Sequence, residues 1–221
     1  MPFTSAEFFA TLSAYNSAVG PLPLVLVLGV LFLTMSALRG HRRGVAVVYL
    51  GLAGLWAWMG IVYHWMYFRP VNPSAAVFAV LFTVQAALFL AQALAPGRLV
   101  LPSRSAVWFG LSAIVYATLV YPMVGELLGH HYPARPTFGL PCPTTIATFG
   151  LLALLPVREP RWLPIVPSMW AAVGTLAITF GMVEDVSLAG FALGYWVLQW
   201  RERGSPFAQY FDADYSSHPL S

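Results

Sequence analysis

The sequence predicts an all-α fold: a polytopic membrane helix bundle of seven transmembrane helices, with its N-terminus outside and its C-terminus in the cytoplasm. Three observations predict it. Of 221 residues, 59% are hydrophobic and 9% charged, and the mean hydropathy is +0.73. Soluble domains carry about 25% charged residues, and so few charges cannot coat a water-facing surface. Apolar runs of membrane-crossing length recur along the chain, about 17–25 residues being needed for some 30 Å of hydrocarbon. Finally, every basic side chain apart from histidine is an arginine, and the arginines fall unevenly between alternate loops.

The elements follow in order. Residues 1–16 read as an interfacial N-terminal helix that Thr4 or Ser5 can cap, with Phe8, Leu12 and Tyr15 on one face. They lack the basic start of a secretory signal. A seven-helix transmembrane domain occupies 17–200. Its first span runs from about Ser17 to Leu38 and stops at Arg39-Gly40-His41-Arg42-Arg43. The second, about Gly44 to Phe68, ends at the helix-breaking turn Arg69-Pro70-Val71-Asn72-Pro73-Ser74. The third covers about Ala75 to Ala95, and the fourth about Ser105 to Leu127. A fifth lies within Thr137 to Leu155, and the sixth covers about Trp162 to Met182. Glu184 and Asp185 precede a short seventh, about Val186 to Trp200. The polar cytoplasmic tail, 201–221, is expected to be disordered from Gly204 onward.

Orientation follows from the arginines. Arg39, Arg42, Arg43, Arg98, Arg104, Arg158, Arg161, Arg201 and Arg203 share one set of loops, leaving Arg69 and Arg135 in the other. The positive-inside rule then puts the larger set in the cytoplasm. Trp65, Tyr67 and Phe68 fall at the outer interface, and Trp162, Trp196 and Trp200 at the inner one, as aromatic belts do. The net charge of +3 arises beside the spans, where arginines meet lipid headgroups. Membrane lipids are therefore the expected partners, with other membrane subunits a further possibility and nucleic acid excluded. Gln85 and Gln92, on one face of the third span, read as helix–helix glue.

Several functions are excluded. Without lysine there is no Schiff base for a retinal. Cys142 is the single cysteine, so neither an intramolecular disulfide nor a multi-cysteine metal site can form. No nucleophile elbow or His-Glu-x-x-His pattern is present, and a non-enzymatic role is favoured over catalysis.

The densest run of unusual residues is Gly129 to Ile146. Its four prolines rule out one regular helix. Either a helix begins near Pro141, where proline is tolerated, beneath a loop covering the outer mouth, or it begins near Thr137 and breaks at Pro141 and Pro143, freeing carbonyls that must line a polar cavity. The first reading is preferred. Polar groups of several spans converge at that level. His64 lies inside the second span, and Cys142, Thr144 and Thr145 open the fifth. Glu126, His130, His131, Arg135, Glu184 and Asp185 are expected mainly to solvate outer turns. The candidate ligand-binding set is His64, His131, Arg135, Cys142, Thr144 and Thr145, with His64, His130 and Cys142 as candidate metal ligands.

Val62-Tyr63-His64, Gly129-His130-His131-Tyr132-Pro133 and especially Pro136-Thr137-Phe138-Gly139-Leu140-Pro141-Cys142-Pro143-Thr144-Thr145-Ile146 resemble an uncharacterised family of bacterial multi-span membrane proteins that carries a domain-of-unknown-function label. The resemblance extends from Pro2 to about Gly181 and makes His131, more than His130, the match to the family's histidine. It implies a bacterial cytoplasmic (inner) membrane protein and supplies no activity. Three functions compete. The first is a pocket in the outer half of the bundle that binds or passes a small solute, ion or lipid headgroup. The second is an accessory subunit of a larger membrane complex. The third is a redox protein holding b-type haem or copper between His64 and His130 or His131, although no cofactor is expected.

Overall fold

A computed structural model describes residues 3–203; the tail expected to be disordered lies outside the described residues. Among the described residues the fold is helical throughout and contains no strand, only two isolated bridges. Helix α1 is Ser5–Val19 and α2 Leu22–Leu38, set at 78° to one another. Then come α3 (Arg42–Phe68), α4 (Ala75–Leu94) and α5 (Arg104–Leu127). Helices α6 (Pro141–Leu154), α7 (Ile165–Phe180) and α8 (Val186–Arg203) complete the bundle.

Local chemistry sets the boundaries. Thr4 caps α1 by accepting from the Glu7 amide at 3.3 Å, while Glu7 accepts from the Thr4 amide at 2.8 Å, a reciprocal capping box. Gly20, at φ +56°, makes the corner into α2, whose first turn takes proline because its N–H groups have no helical partner. The His41 side chain accepts from the Gly44 amide at 2.8 Å and caps α3. Helix α6 begins at Pro141, and Thr144 Oγ1 accepts from the Gly139 amide at 3.0 Å just upstream. Two helices widen locally. The Met59–Phe68 section of α3 and the Tyr116–Val120 section of α5 are π-helical, a geometry that is rare and gathers at functional sites.

Of the seven spans expected, three helices are long and apolar enough to cross a membrane: α3, α4 and α5. The number rises to four if the bent pair α1–α2 is one span. The later part of the chain departs from the expectation for a visible reason. The segment between α6 and α7 folds inward, burying Leu155, Pro156, Val157, Glu159 and Leu163, and this shortens both neighbours. Gln85 holds it there, its amide donating to the Leu163 carbonyl at 3.0 Å. Helix α7 also tightens to 3-10 geometry from Thr175 to Phe180.

At the centre is α6, buried on every side except at half-buried Cys142, and packed by α2, α3, α5, α7 and α8. A helix apolar all round belongs inside a core. Trp56 joins α3 to it, donating from Nε1 to Thr148 Oγ1 at 3.0 Å. The outer helices keep large apolar side chains exposed, among them Leu24, Leu28, Phe32, Val77, Val80 and Leu119.

Contacts sort the connections into two ends. At one, Asn16 in α1 donates to the carbonyls of Pro133 and Arg135, both at 2.7 Å, and accepts from Thr137 Oγ1 at 2.7 Å. Phe3 and Phe8 meet Phe68 and Phe180 there. At the other end, the Val100 amide donates to the Pro156 carbonyl at 2.8 Å, Leu99 bridges Val157, and Ser103 donates to Glu202. The connections carrying Arg98 and Arg158 therefore share one end.

Candidate functional site

Helix α1 lies across the first of these ends and roofs a cavity of about 220 Å³. Its wall is mainly apolar and includes seven aromatic residues. Phe3 and Phe8 come from the N-terminal segment, Tyr63 and Phe68 from the π section of α3, Phe78 from α4, and Trp170 and Phe180 from α7. Phe3 and Phe180 stack with centroids 4.8 Å apart, and Phe78 meets Trp170 edge to face at 5.3 Å. Trp170 keeps a buried Nε1 without a hydrogen-bond partner. The wall is thus mainly apolar, and an unmet donor is packed within it.

Asn72 and Ser74, between α3 and α4, add polar groups, and the short turn Val183–Asp185 between α7 and α8 adds a carboxyl. Asp185 lines the cavity and is 1% exposed. Tyr121, just beyond the π section of α5, donates its hydroxyl to Asp185 Oδ1, and Cys142 Sγ donates to Oδ2 at 3.4 Å. Both donors are neutral, and among the described residues no cation pairs with this carboxyl. Burial therefore pushes Asp185 up to about 7, although the bonds from Tyr121 and Cys142 pull the other way, and the adjacent Glu184 carboxylate adds to the rise. Glu184 is itself buried. Its Oε1 meets His130 Nδ1 at 2.8 Å, and Oε2 has no partner. A carboxyl that titrates near neutrality, in an apolar chamber, is able to hold or release a proton or to neutralise a bound positive charge.

The sequence-predicted residues are dispersed around this chamber. Cys142 lines it and touches Asp185. Thr144 is consumed in ordering the start of α6, and Thr145 is buried with its hydroxyl unpartnered. His131 stands at the surface, where Nδ1 meets Glu126 Oε1 at 2.7 Å, and Arg135 pairs with the same carboxylate. Arg135 also borders a separate groove of about 150 Å³ between α2 and α5. Phe9 and Glu184 surround His130. These contacts do not bring His64, His130, His131 and Cys142 together, and among the described residues no three His, Cys, Asp or Glu side chains form a group able to hold a metal.

His64 lies behind the cavity wall. It is fully buried, caged by Tyr63, Phe68, Phe78, Phe82 and Trp170 at centroid distances of 4.7–6.2 Å, and neither ring nitrogen has a hydrogen-bond partner. An unsatisfied buried polar group costs about 1–3 kcal/mol. His64→Leu, an apolar side chain of similar size, is therefore expected to raise unfolding stability by about 1 kcal/mol, read from thermal unfolding of the purified protein. A loss of stability instead would mean that the imidazole is held by a partner in the native protein.

Sequence reasoning missed Tyr121, Trp170 and Asn16 and assigned Asp185 to a solvated turn. The one signal available was chemical: Glu184-Asp185 is an acidic pair between two apolar runs in a chain with eight acidic residues.

Comparison with known proteins adds one finding. A model described as a family of unknown function, DUF6064, matches residues 5–207, nearly the whole chain. No curated protein and no solved structure matches it.

Proposed function

The chain belongs to the DUF6064 family, whose function is unknown, and from that premise we propose that it is a multi-pass protein of the bacterial inner membrane that binds a small organic solute in the cavity beneath α1. The observation that carries the binding reading is the cavity itself, an enclosure of aromatic rings with one buried carboxyl, Asp185. Ligand sites are typically concave, mostly apolar and equipped with few polar groups.

Membrane residence is supported by the exposed faces of α2, α3, α4 and α5, where leucine, valine and phenylalanine replace the charges of a water-facing surface. We read α2 to α8 as seven crossings that alternate between the two ends. Helix α6 manages with fewer residues because a span surrounded by protein need not match the full hydrocarbon thickness, while α7, which keeps Ile165, Met169 and Leu176 exposed, gains length from the greater rise of its 3-10 section. The shared end of the Arg98 and Arg158 connections supports reading that end as cytoplasmic and the cavity as facing outside.

The test combines topology with binding. In a Cys142→Ala background, Ser74→Cys is expected to react with a membrane-impermeant maleimide in intact cells, and Leu101→Cys only after permeabilisation. Labelling of both in intact cells would refute the topology. Ala177 lines the cavity. A panel of small solutes is expected to contain members that raise the thermal midpoint of the wild type but not of Ala177→Trp, whose indole fills the chamber. Equal shifts in both proteins would remove the cavity as the binding site.

A further inference from the structure

We propose that the cavity selects a small organic ammonium ion, seating its charge against Asp185 and its alkyl groups against the aromatic wall, with one proton leaving Asp185 for each cation bound. This rests on the reading of the cavity as a solute site and adds the chemical class of the solute.

Three features of the enclosure point to a cation. First, the rings of Phe3, Phe8, Tyr63, Phe68, Phe78 and Trp170 converge on it from four segments of the chain. Aromatic faces carry the negative end of a quadrupole and attract alkylammonium groups, and more strongly where water is excluded. Second, among the described residues Asp185 is the sole carboxyl in the wall, and no arginine or histidine lines it. An anionic solute would place its negative charge beside Asp185 with no cation in the wall to compensate it. Third, the groups facing Asp185 leave its charge uncompensated from every side. Tyr121 approaches from α5, Cys142 from α6 and Tyr63 from α3, all neutral. Glu184, on the same turn, adds negative potential and is bonded to His130. A buried carboxylate needs a partner or a proton. In the empty cavity the proton serves, and an entering cation replaces it.

The exchange balances. The cation enters with its charge, the Asp185 O–H bond breaks heterolytically, the electron pair stays on the carboxylate, and the proton goes to solvent. No other bond changes and nothing is oxidised. Affinity is therefore expected to rise about tenfold per pH unit while Asp185 is protonated and to level off once it is ionised.

The probes are choline and its uncharged isostere 3,3-dimethyl-1-butanol, titrated calorimetrically into the full chain in detergent between pH 5.5 and 8.5. The expected result is choline binding at least tenfold tighter than the alcohol, with the pH dependence above. Titration in buffers of different ionisation enthalpy should detect close to one proton released at the acidic end. Asp185→Asn, which keeps an oxygen for the Tyr121 hydroxyl, should lose at least tenfold in choline affinity and all of its pH dependence. Proton release by the wild type decides the matter even if that variant does not fold. If the alcohol binds as tightly as choline, or choline binds without releasing a proton, the ammonium assignment is overturned while the cavity remains a solute site. If neither binds and no solute distinguishes the wild type from Ala177→Trp, both readings fall together.

Discussion

Gly150→Val is expected to cost roughly 3 kcal/mol or more and to leave little folded protein. The reason is local. Where α5 crosses α6, Gly110 and Gly150 bring the two backbones into contact. A Cβ at Gly150 would lie 2.9 Å from the Gly110 carbonyl oxygen and 3.0 Å from the Ala113 Cβ. One at Gly110 would lie 2.8 Å from the Gly150 carbonyl oxygen and 2.5 Å from the Leu154 Cγ. Two of these contacts are with backbone, which cannot swing aside as a side chain can, so the helices must separate. In a membrane bundle, close approach through small residues is a principal source of helix–helix affinity. With net stabilities of about 5–15 kcal/mol, such a loss is a large fraction of the whole. Gly29, in α2, supplies the contrast. Nothing lies within 4 Å of its Cβ position, so Gly29→Ala should be neutral or stabilising by up to about 1 kcal/mol through helix propensity. Thermal unfolding of the two variants in the same detergent measures the difference. Similar midpoints for both would mean that the crossing is not tight.

The same crossing shows how much of the fold was legible. Helix type, the capping of α1, the turn at Arg69 to Ser74 and the beginning of a helix at Pro141 all rest on local chemistry, and the chain states them openly. The length of a crossing does not. Near Leu155 to Leu163 the apolar residues read equally as the end of a span or as a segment folded into the core, because hydropathy reports burial and cannot tell lipid from protein. Nothing in the composition distinguishes Gln85 reaching into that segment from a glutamine facing another helix. The two π sections are likewise invisible to periodicity, since one extra residue per turn leaves an all-apolar stretch apolar.

The candidate site was half legible for a related reason. Cys142 and the outer level of the bundle were identified because prolines and polar residues concentrate there. Asp185 was not, because a carboxylate between two apolar runs normally marks a solvated turn. It is buried where Tyr121 and Cys142 meet it, beside a cavity that α1 roofs, and Asn16 ties α1 to the loop before α6. The Asn16 contacts join residues more than a hundred positions apart. His64 misled in the opposite direction. It is embedded as expected, yet its cage of rings faces the cavity from behind.

Asp185 also makes unfolding stability depend on pH with an unusual sign. Most carboxylates are stabilised in the charged form by folding, so proteins lose stability on acidification. Here the folded state favours the protonated carboxyl, with Asp185 at about 7 against an unfolded value of about 3.9. Between those values the folded state binds more protons than the unfolded state, so stability falls as pH rises. The contribution is fully present below about pH 4, declines through the interval, and is gone once pH passes about 7. A displacement of about three pH units corresponds to a ceiling of about 4 kcal/mol, before any relaxation of the turn. Glu7, exposed at the start of α1, is shifted down by its bonds to Thr4 and so opposes this trend only weakly, at the acidic edge. The comparison with Asp185→Asn isolates the effect, because the amide is neutral throughout. The variant should match the wild type near pH 4 and exceed it in stability above pH 7, the gap between the two profiles opening across the interval. If the wild type instead gained stability toward pH 7 relative to Asp185→Asn, the carboxylate would be charged in the folded protein. A cation or a donor would then already be compensating it, and the cavity would be occupied by something other than a proton.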